Sequence, residues 1–144
     1  MICHKKTVDL MGTQETDLHD VTDQVIEAVS ESGVENGLVT VHTPGSTSAV
    51  TTIEYEPGCL QDLKDLLDRL APKNGEYSHN ASWEDGNGYS HLRAALLGPS
   101  LSIPVEGGGL VLGTWQQVVV CDFDNRPRRR EVYIQVLGLA GEAV

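Results

Sequence analysis

Cysteine is scarce in this 144-residue chain. Cys3, Cys59 and Cys121 form an odd, scattered set with no CxxC pair, which argues against a disulfide framework and against a zinc–thiolate site. They read as small buried residues or bystanders. No apolar run approaches the length that spans a bilayer, so no membrane partner is expected. The opening MICHKKTVDL has two lysines and no apolar stretch of the signal-peptide kind; it reads as a strand of the mature protein, and the expected compartment is the cytoplasm. Positive charge is also in short supply. Ten Lys and Arg against 21 Asp and Glu leave a formal net charge of −11. Such a surface repels nucleic-acid phosphates, so DNA and RNA are not expected partners. Repeats, linkers and low-complexity tracts are missing as well, and the length suits one domain over residues 1–144.

What is present alternates between two periods. ICHKKTVDL reads as a strand. DLHDVTDQVIEAVSESG sets Val21, Val25, Ile26 and Val29 on one helical face and ends at Ser-Gly. GLVTVH and AVTTIEY are strands rich in β-branched residues. CLQDLKDLLDRLAP is the clearest helix, with Leu60, Leu63, Leu66, Leu67 and Leu70 as its apolar stripe and Pro72 as its stop. SHLRAALLG predicts a short helix with Ser90 as N-cap and Gly98 as terminator. From there the pattern is β only: SLSIPV, LVLG, TWQQVVVCDF and RRREVYIQVLG, joined by EGGG and DNRP turns, predict consecutive antiparallel strands. In the last, Val132, Ile134 and Val136 share one face, and Glu131, Tyr133 and Gln135 the other. The predicted class is α+β, a mostly antiparallel β-sheet with a few packed helices.

Three stretches can carry chemistry. In YSHNASWEDGNGYSHL, His79 and His91 stand twelve apart, too far for one helical turn. They are either a folded-back metal or catalytic pair or two solvated loop histidines. In HTPGSTSAVTTIE, the hydroxyls of Ser46, Thr47 and Ser48 follow a Pro-Gly turn. That arrangement suits an anion, and it equally suits a β-turn whose hydroxyls satisfy local backbone groups. The GxxxxGK[ST] pattern of a phosphate-binding P-loop is missing. In GTWQQ and the following NRPRRR, Trp115 with Gln116 and Gln117 either lines a ring-binding pocket or packs in the core. The arginines either grip phosphates or sit solvated in a hairpin.

Taken in order, GSTSAVTTIEYEPG, YSHN, DGNGYSHLRAALLGPSLSIPV and GTWQQVVVCDFDNRPRRREVYIQVLG resemble the YjbQ-like family, an uncharacterised protein family labelled secondary thiamine-phosphate synthase. The resemblance covers nearly the whole chain. It implies a homotrimeric α+β domain with a polar pocket near the subunit boundary. It implies that His79 and His91 face that pocket as catalytic residues or metal ligands, with Asp85, Asn87 and Trp115 nearby. The implied reaction joins a hydroxymethylpyrimidine pyrophosphate to a thiazole phosphate. Leaving-group charge would fall on Mg²⁺ or on donors such as Arg128 and the hydroxyls of Ser46, Thr47 and Ser48. One departure stands out: many members begin the HTSA motif with histidine, where this chain has Ser46, and His42 lies four residues earlier. A divalent ion (Zn or Mg) on His79 and His91 would then need help from Asp85, Glu54 or His42. The rival readings are a metal-dependent phosphohydrolase and a non-catalytic phosphometabolite-binding protein.

Overall fold

A computed structural model describes residues 1–141. Eight strands and four helices follow one another as β1 (Ile2–Thr13), β2 (Asp17–Asp20), α1 (Thr22–Ser32), β3 (Asn36–His42), β4 (Ser48–Ile53), α2 (Pro57–Leu70), α3 (Ser78–Trp83), α4 (Gly88–Leu97), β5 (Ser100–Glu106), β6 (Gly109–Leu110), β7 (Gln117–Asp122) and β8 (Arg128–Leu139). They form two antiparallel sheets, of order β1-β8-β3-β5-β6 and β2-β7-β4. The α+β class is as expected.

The layers follow from side-chain alternation. On β8, Val132, Ile134 and Val136 point inward and meet Val39 and Val41 of β3, Val118 and Val120 of β7, and Val25, Ala28 and Val29 of α1. Each fully buried valine contributes about 1.5–3 kcal/mol of apolar transfer free energy. The opposite parity of β7 serves a second core: Val119 and Cys121 pack with Ala49, Phe123, Leu67 of α2 and Ala94 of α4. Because β7 is covered on both faces, Val118 to Asp122 are all buried, and the run reads VVVCD without a solvent-side alternate. The small sheet is therefore the middle layer, with the large sheet on one side and α2 and α4 on the other.

A close approach pins the registry of the large sheet. Gly37 faces Gly138 across β3 and β8. A Cβ on Gly138 would lie 2.4 Å from the Asn36 carbonyl oxygen, and one on Gly37 only 2.1 Å from that of Leu137. Only glycine fits at either position.

Several expectations are corrected. DLHD is not the start of a helix but strand β2, paired with β7. Ile26 is half exposed, because α1 turns Val21, Val25, Ala28 and Val29 inward. Of the α2 leucine stripe only Leu67 is fully buried, with Leu63 partly buried against the same core; Leu66 and Leu70 are exposed. Ser90 is not an N-cap: α4 begins two residues earlier, after Asn87, and Ser90 lies inside it. Strands β5 and β6 pair antiparallel as expected, but β7 and β8 are not neighbours, for β7 joins the small sheet while β8 inserts between β1 and β3. Trp115 is exposed rather than core. No helix among the described residues is long and apolar enough to cross a membrane.

Candidate functional site

At the end of the sandwich where β7 and β8 leave the core, alternation places charge where apolar residues would continue. Arg128 and Arg130 fall on the same face of β8 as Val132, and Asp122 on the same face of β7 as Val118 and Val120. Asp122 and Asp124 are wholly buried, and Arg130 is nearly so. Arg130 donates to Asp122 at 2.8 and 3.1 Å and to the Thr47 hydroxyl at 2.6 Å. Thr47 in turn donates to Asp124 at 3.0 Å, and Arg128 donates its Nε to the same carboxylate. Two carboxylates meet two guanidiniums, so the buried charge balances and most of its hydrogen-bonding capacity is used. Burial pushes the Asp124 carboxyl up, but the Arg128 and Thr47 hydrogen bonds outweigh it and hold that group below the ordinary carboxylate range.

This network fixes the Pro-Gly turn before β4. Gly45 has φ +150°, and a Cβ there would sit 2.9 Å from an Arg130 Nη, so the turn lies directly against the guanidinium. The three expected hydroxyls diverge. Thr47 points into the ion network, and Ser48 pairs hydroxyl to hydroxyl with Thr43 at 2.9 Å in the interior. Ser46 alone faces outward, into a cleft of about 390 Å³. The N–H groups of Gly45, Ser46 and Thr47 have no backbone partner among the described residues.

The opposite wall comes from α3 and α4, tied together by the Asn80 side chain, which accepts from the Gly88 N–H at 2.9 Å. Arg93 holds α4 to the end of α2 through the Ala71 carbonyl and Asp68, each at 2.9 Å. This frame brings the two histidines together: the rings of His79 and His91 lie with centroids 4.5 Å apart and planes tilted by 47°. Asp85 stands 3.7 Å from the Nδ1 of His79, and Asn87 directly precedes α4 without a side-chain capping bond. His79 Nδ1 and Asn87 Oδ1, both of residues lining the cleft, are buried without a hydrogen-bond partner, as are the Ser90 hydroxyl and Asn125 Oδ1. An unmet buried polar atom costs about 1–3 kcal/mol, so the two in cleft residues are available to a partner that enters there.

The cleft therefore gathers His79, His91, Asp85, Asn87, Ser46 and Arg128. His42 and Glu54 do not join it. His42 sits on the outer face of β3, and Glu54 is exposed beyond β4. Trp115 is 72% exposed on a separate loop, whose shape is held by Gln116 and Gln117: one amide binds Gly113 and Thr52, the other the Thr114 carbonyl. Reading the sequence missed Arg130 and Trp83, both of which line the cleft. The parity of β8 signals Arg130, two positions before Val132. Trp83 lies in α3, which reads as a loop because its six residues carry no apolar stripe.

Among the described residues, no three His, Cys, Asp or Glu side chains are arranged to hold a metal. Asp85 stands beside His79 without a hydrogen bond to it. The residues present do not fit a resident three-ligand centre.

The fold and the ordering of these residues match one family model, that of UPF0047 protein YjbQ-like, over residues 6–139. The chain belongs to the UPF0047 (YjbQ-like) family. A UPF0047 protein of Methanothermobacter thermautotrophicus is 36% identical over 138 residues, spanning 96% of this chain and 94% of that one. A UPF0047 protein of Archaeoglobus fulgidus is 39% identical over 128 residues, 89% and 97% of the respective chains. Among solved structures, a YbjQ-like protein of unknown function from Sulfolobus solfataricus P2 superposes with a TM-score of 0.90 at 29% identity, covering 95% of this chain and 98% of that one. A hypothetical protein of Aeropyrum pernix K1 gives 0.86 at 35%, covering 94% and 98%. UPF0047 relatives thus share the whole domain, and the family is one of uncharacterised function.

Proposed function

We propose that the cleft is the active site of a transferase joining a hydroxymethylpyrimidine pyrophosphate to a thiazole phosphate. The observation that carries this reading is the meeting, in one cleft, of an anion-holding wall and an acid–base wall. The first consists of Arg128, Ser46 and the Gly45–Thr47 turn, whose N–H groups have no backbone partner; the second of His79, Asp85 and His91.

In this reaction the thiazole ring nitrogen donates its electron pair to the methylene carbon of the pyrimidine. A C–N bond forms, the C–O bond to pyrophosphate breaks, and pyrophosphate leaves with the electron pair of that C–O bond. Guanidinium nitrogens and backbone N–H groups are suited to stabilise charge that grows on the leaving oxygens. His79, with the Asp85 carboxylate nearby, is suited to supply a proton to the departing group. A divalent cation, in this reading, enters with the pyrophosphate rather than resting on the two imidazoles.

The same proposal includes a homotrimer with the cleft near a subunit boundary. Its support is the exposed apolar side chains on the otherwise polar outer face of the five-stranded sheet, Leu38 with its cross-strand partner Leu137 and Tyr133, together with the unburied Trp115. Light scattering at micromolar protein should give three chain masses, and a monomer there removes that part.

The test of the reaction is direct. Purified protein supplied with both substrates and Mg²⁺ should form thiamine phosphate, detected by mass spectrometry, and should rescue a thiamine auxotroph. Arg128→Ala and His79→Ala should each lower turnover by at least about 100-fold, the usual size of a lost charge-stabilising or proton-transfer group. No product and no rescue from folded wild type would remove the synthase reading. Phosphate release from a simple ester would favour a phosphohydrolase instead.

A further inference from the structure

We infer that Trp83 is the ring-recognising residue of this cleft, so that the site selects a phosphorylated planar ring over an acyclic phosphate. The inference rests on the reading above that the cleft holds a phosphorylated small molecule, and adds the residue that chooses among such molecules.

Helix α3 makes no sense as core. None of its six residues is buried, and it touches the rest of the domain chiefly through α4. What it does is present side chains. His79 and Trp83 are four residues apart, which on an α-helix places them on one face, one turn apart. Both line the cleft. Trp83 is 73% exposed there, a large apolar surface left in water unless something covers it.

The backbone after Trp83 supports a built arrangement. Glu84 adopts the left-handed conformation at φ +55°, the one non-glycine residue with positive φ among those described. A side-chain-bearing residue takes that conformation only at an energetic cost. The turn ends α3 abruptly, with the Glu84 N–H bonded to the Asn80 carbonyl at 3.1 Å. The chain then folds back so that Asp85 also lines the cleft. The helix is seated close against its neighbour as well: a Cβ on Gly88 would fall 2.6 Å from the Cβ of Tyr77. Trp83 is thus offered from a braced helix.

Across the cleft stands the guanidinium of Arg128, which is 40% exposed and engages Asp124 only through its Nε. Indole faces stack on planar rings with little regard to the ring's substituents, whereas guanidinium forks bind phosphate oxygens. A molecule carrying both a flat ring and a phosphate engages both walls, and an acyclic phosphate engages only one.

The experiment is calorimetric binding of four probes to the intact protein. Thiamine phosphate and uridine 5′-monophosphate carry rings; glycerol 3-phosphate and inorganic pyrophosphate do not. Wild type should prefer the ring-bearing pair. Trp83→Ala should weaken that pair by roughly 5- to 150-fold, the measured range for loss of one base–aromatic stack, and leave the ring-free pair unchanged. Trp83→Phe should restore most of the loss, and Trp115→Phe should change nothing. Equal affinity of wild type for all four, no binding of any, or a ring preference that survives Trp83→Ala overturns the proposal. The synthase reading fails separately, by absence of product while the ring preference persists.

Discussion

Arg130 of β8 reaches Asp122 of β7 through two nitrogens, at 2.8 and 3.1 Å, where the carboxylate is wholly buried and the guanidinium 7% exposed. The pair joins the two sheets at the end of the sandwich and carries the turn that opens the cleft. Buried pairs of this kind stabilise little relative to apolar replacements, but breaking one is costly because a charge is left without its partner.

Arg130→Ala should accordingly destabilise the protein by about 3–5 kcal/mol, read as a shift in the denaturation midpoint in urea. Arg130→Lys should recover only part of this, since an ammonium cannot reproduce the fork to Asp122 while also bonding Thr47. A loss below about 1 kcal/mol for Arg130→Ala would show that the pair is not a structural keystone.

Acid should unfold the domain through the same network. Asp124 titrates below the ordinary carboxylate range in the folded state, so the unfolded chain binds its proton first as pH falls. The stabilisation from this group is complete above the unfolded carboxyl value of about 3.9 and disappears below it. Urea midpoints measured from pH 6 to pH 2.5 should fall in that lower range, and Asp124→Asn should flatten the slope there. An unchanged slope in the variant assigns acid sensitivity elsewhere.

The three thiols should separate cleanly. Burial, and secondarily the charge of Asp122, push the Cys121 thiol up to about 12, so it stays protonated and unreactive at pH 8. Cys3 is exposed and Cys59 intermediate. Alkylation followed by peptide mass spectrometry should label Cys3 readily and Cys121 only in denaturant. Because the folded value is raised, the unfolded thiol ionises first, and the stabilisation fades as pH climbs above about 8.5.

Ser46 gives a test of the imidazole pair. It lines the cleft with His79 and His91, and it shares an adjoining recess with His91. Ser46→His should add a third imidazole and raise zinc affinity by at least about tenfold, since three protein nitrogens make an open zinc site. Titration with a competing chelator would measure this, and adding His79→Ala should abolish the gain. No gain in the single variant would mean that the turn aims residue 46 away from the histidines.

The legibility of the molecule divides by the range of the interactions. Period-2 alternation in RRREVYIQVLG identifies β8 and the buried trio Val132, Ile134 and Val136, because a strand between a core and a solvent face sorts its own side chains. The same alternation, carried two residues back, marks Arg130 as inward-facing. Helix α3 was not legible, since a helix that buries nothing leaves no apolar stripe to read. DLHD resembled the acidic opening of a helix, and only pairing with β7 made it a strand. The roles of Thr47 and Ser48 were equally out of reach: nothing in STSA says which hydroxyl turns to a neighbour and which to solvent.

The amino-acid order alone determined the α+β class, the aliphatic core rows and the presence of two histidines, a hydroxyl turn and an arginine cluster. Those properties depend on local periodicity and on residue chemistry. Only the tertiary structure decided that Ser46, His79, His91 and Arg128 share one cleft while His42, Glu54 and Trp115 lie elsewhere. That outcome depends on β8 inserting between β1 and β3 and on α3 folding back over the end of the sheets. Such long-range pairings are selected by the burial of the whole core, not by any short stretch of chain.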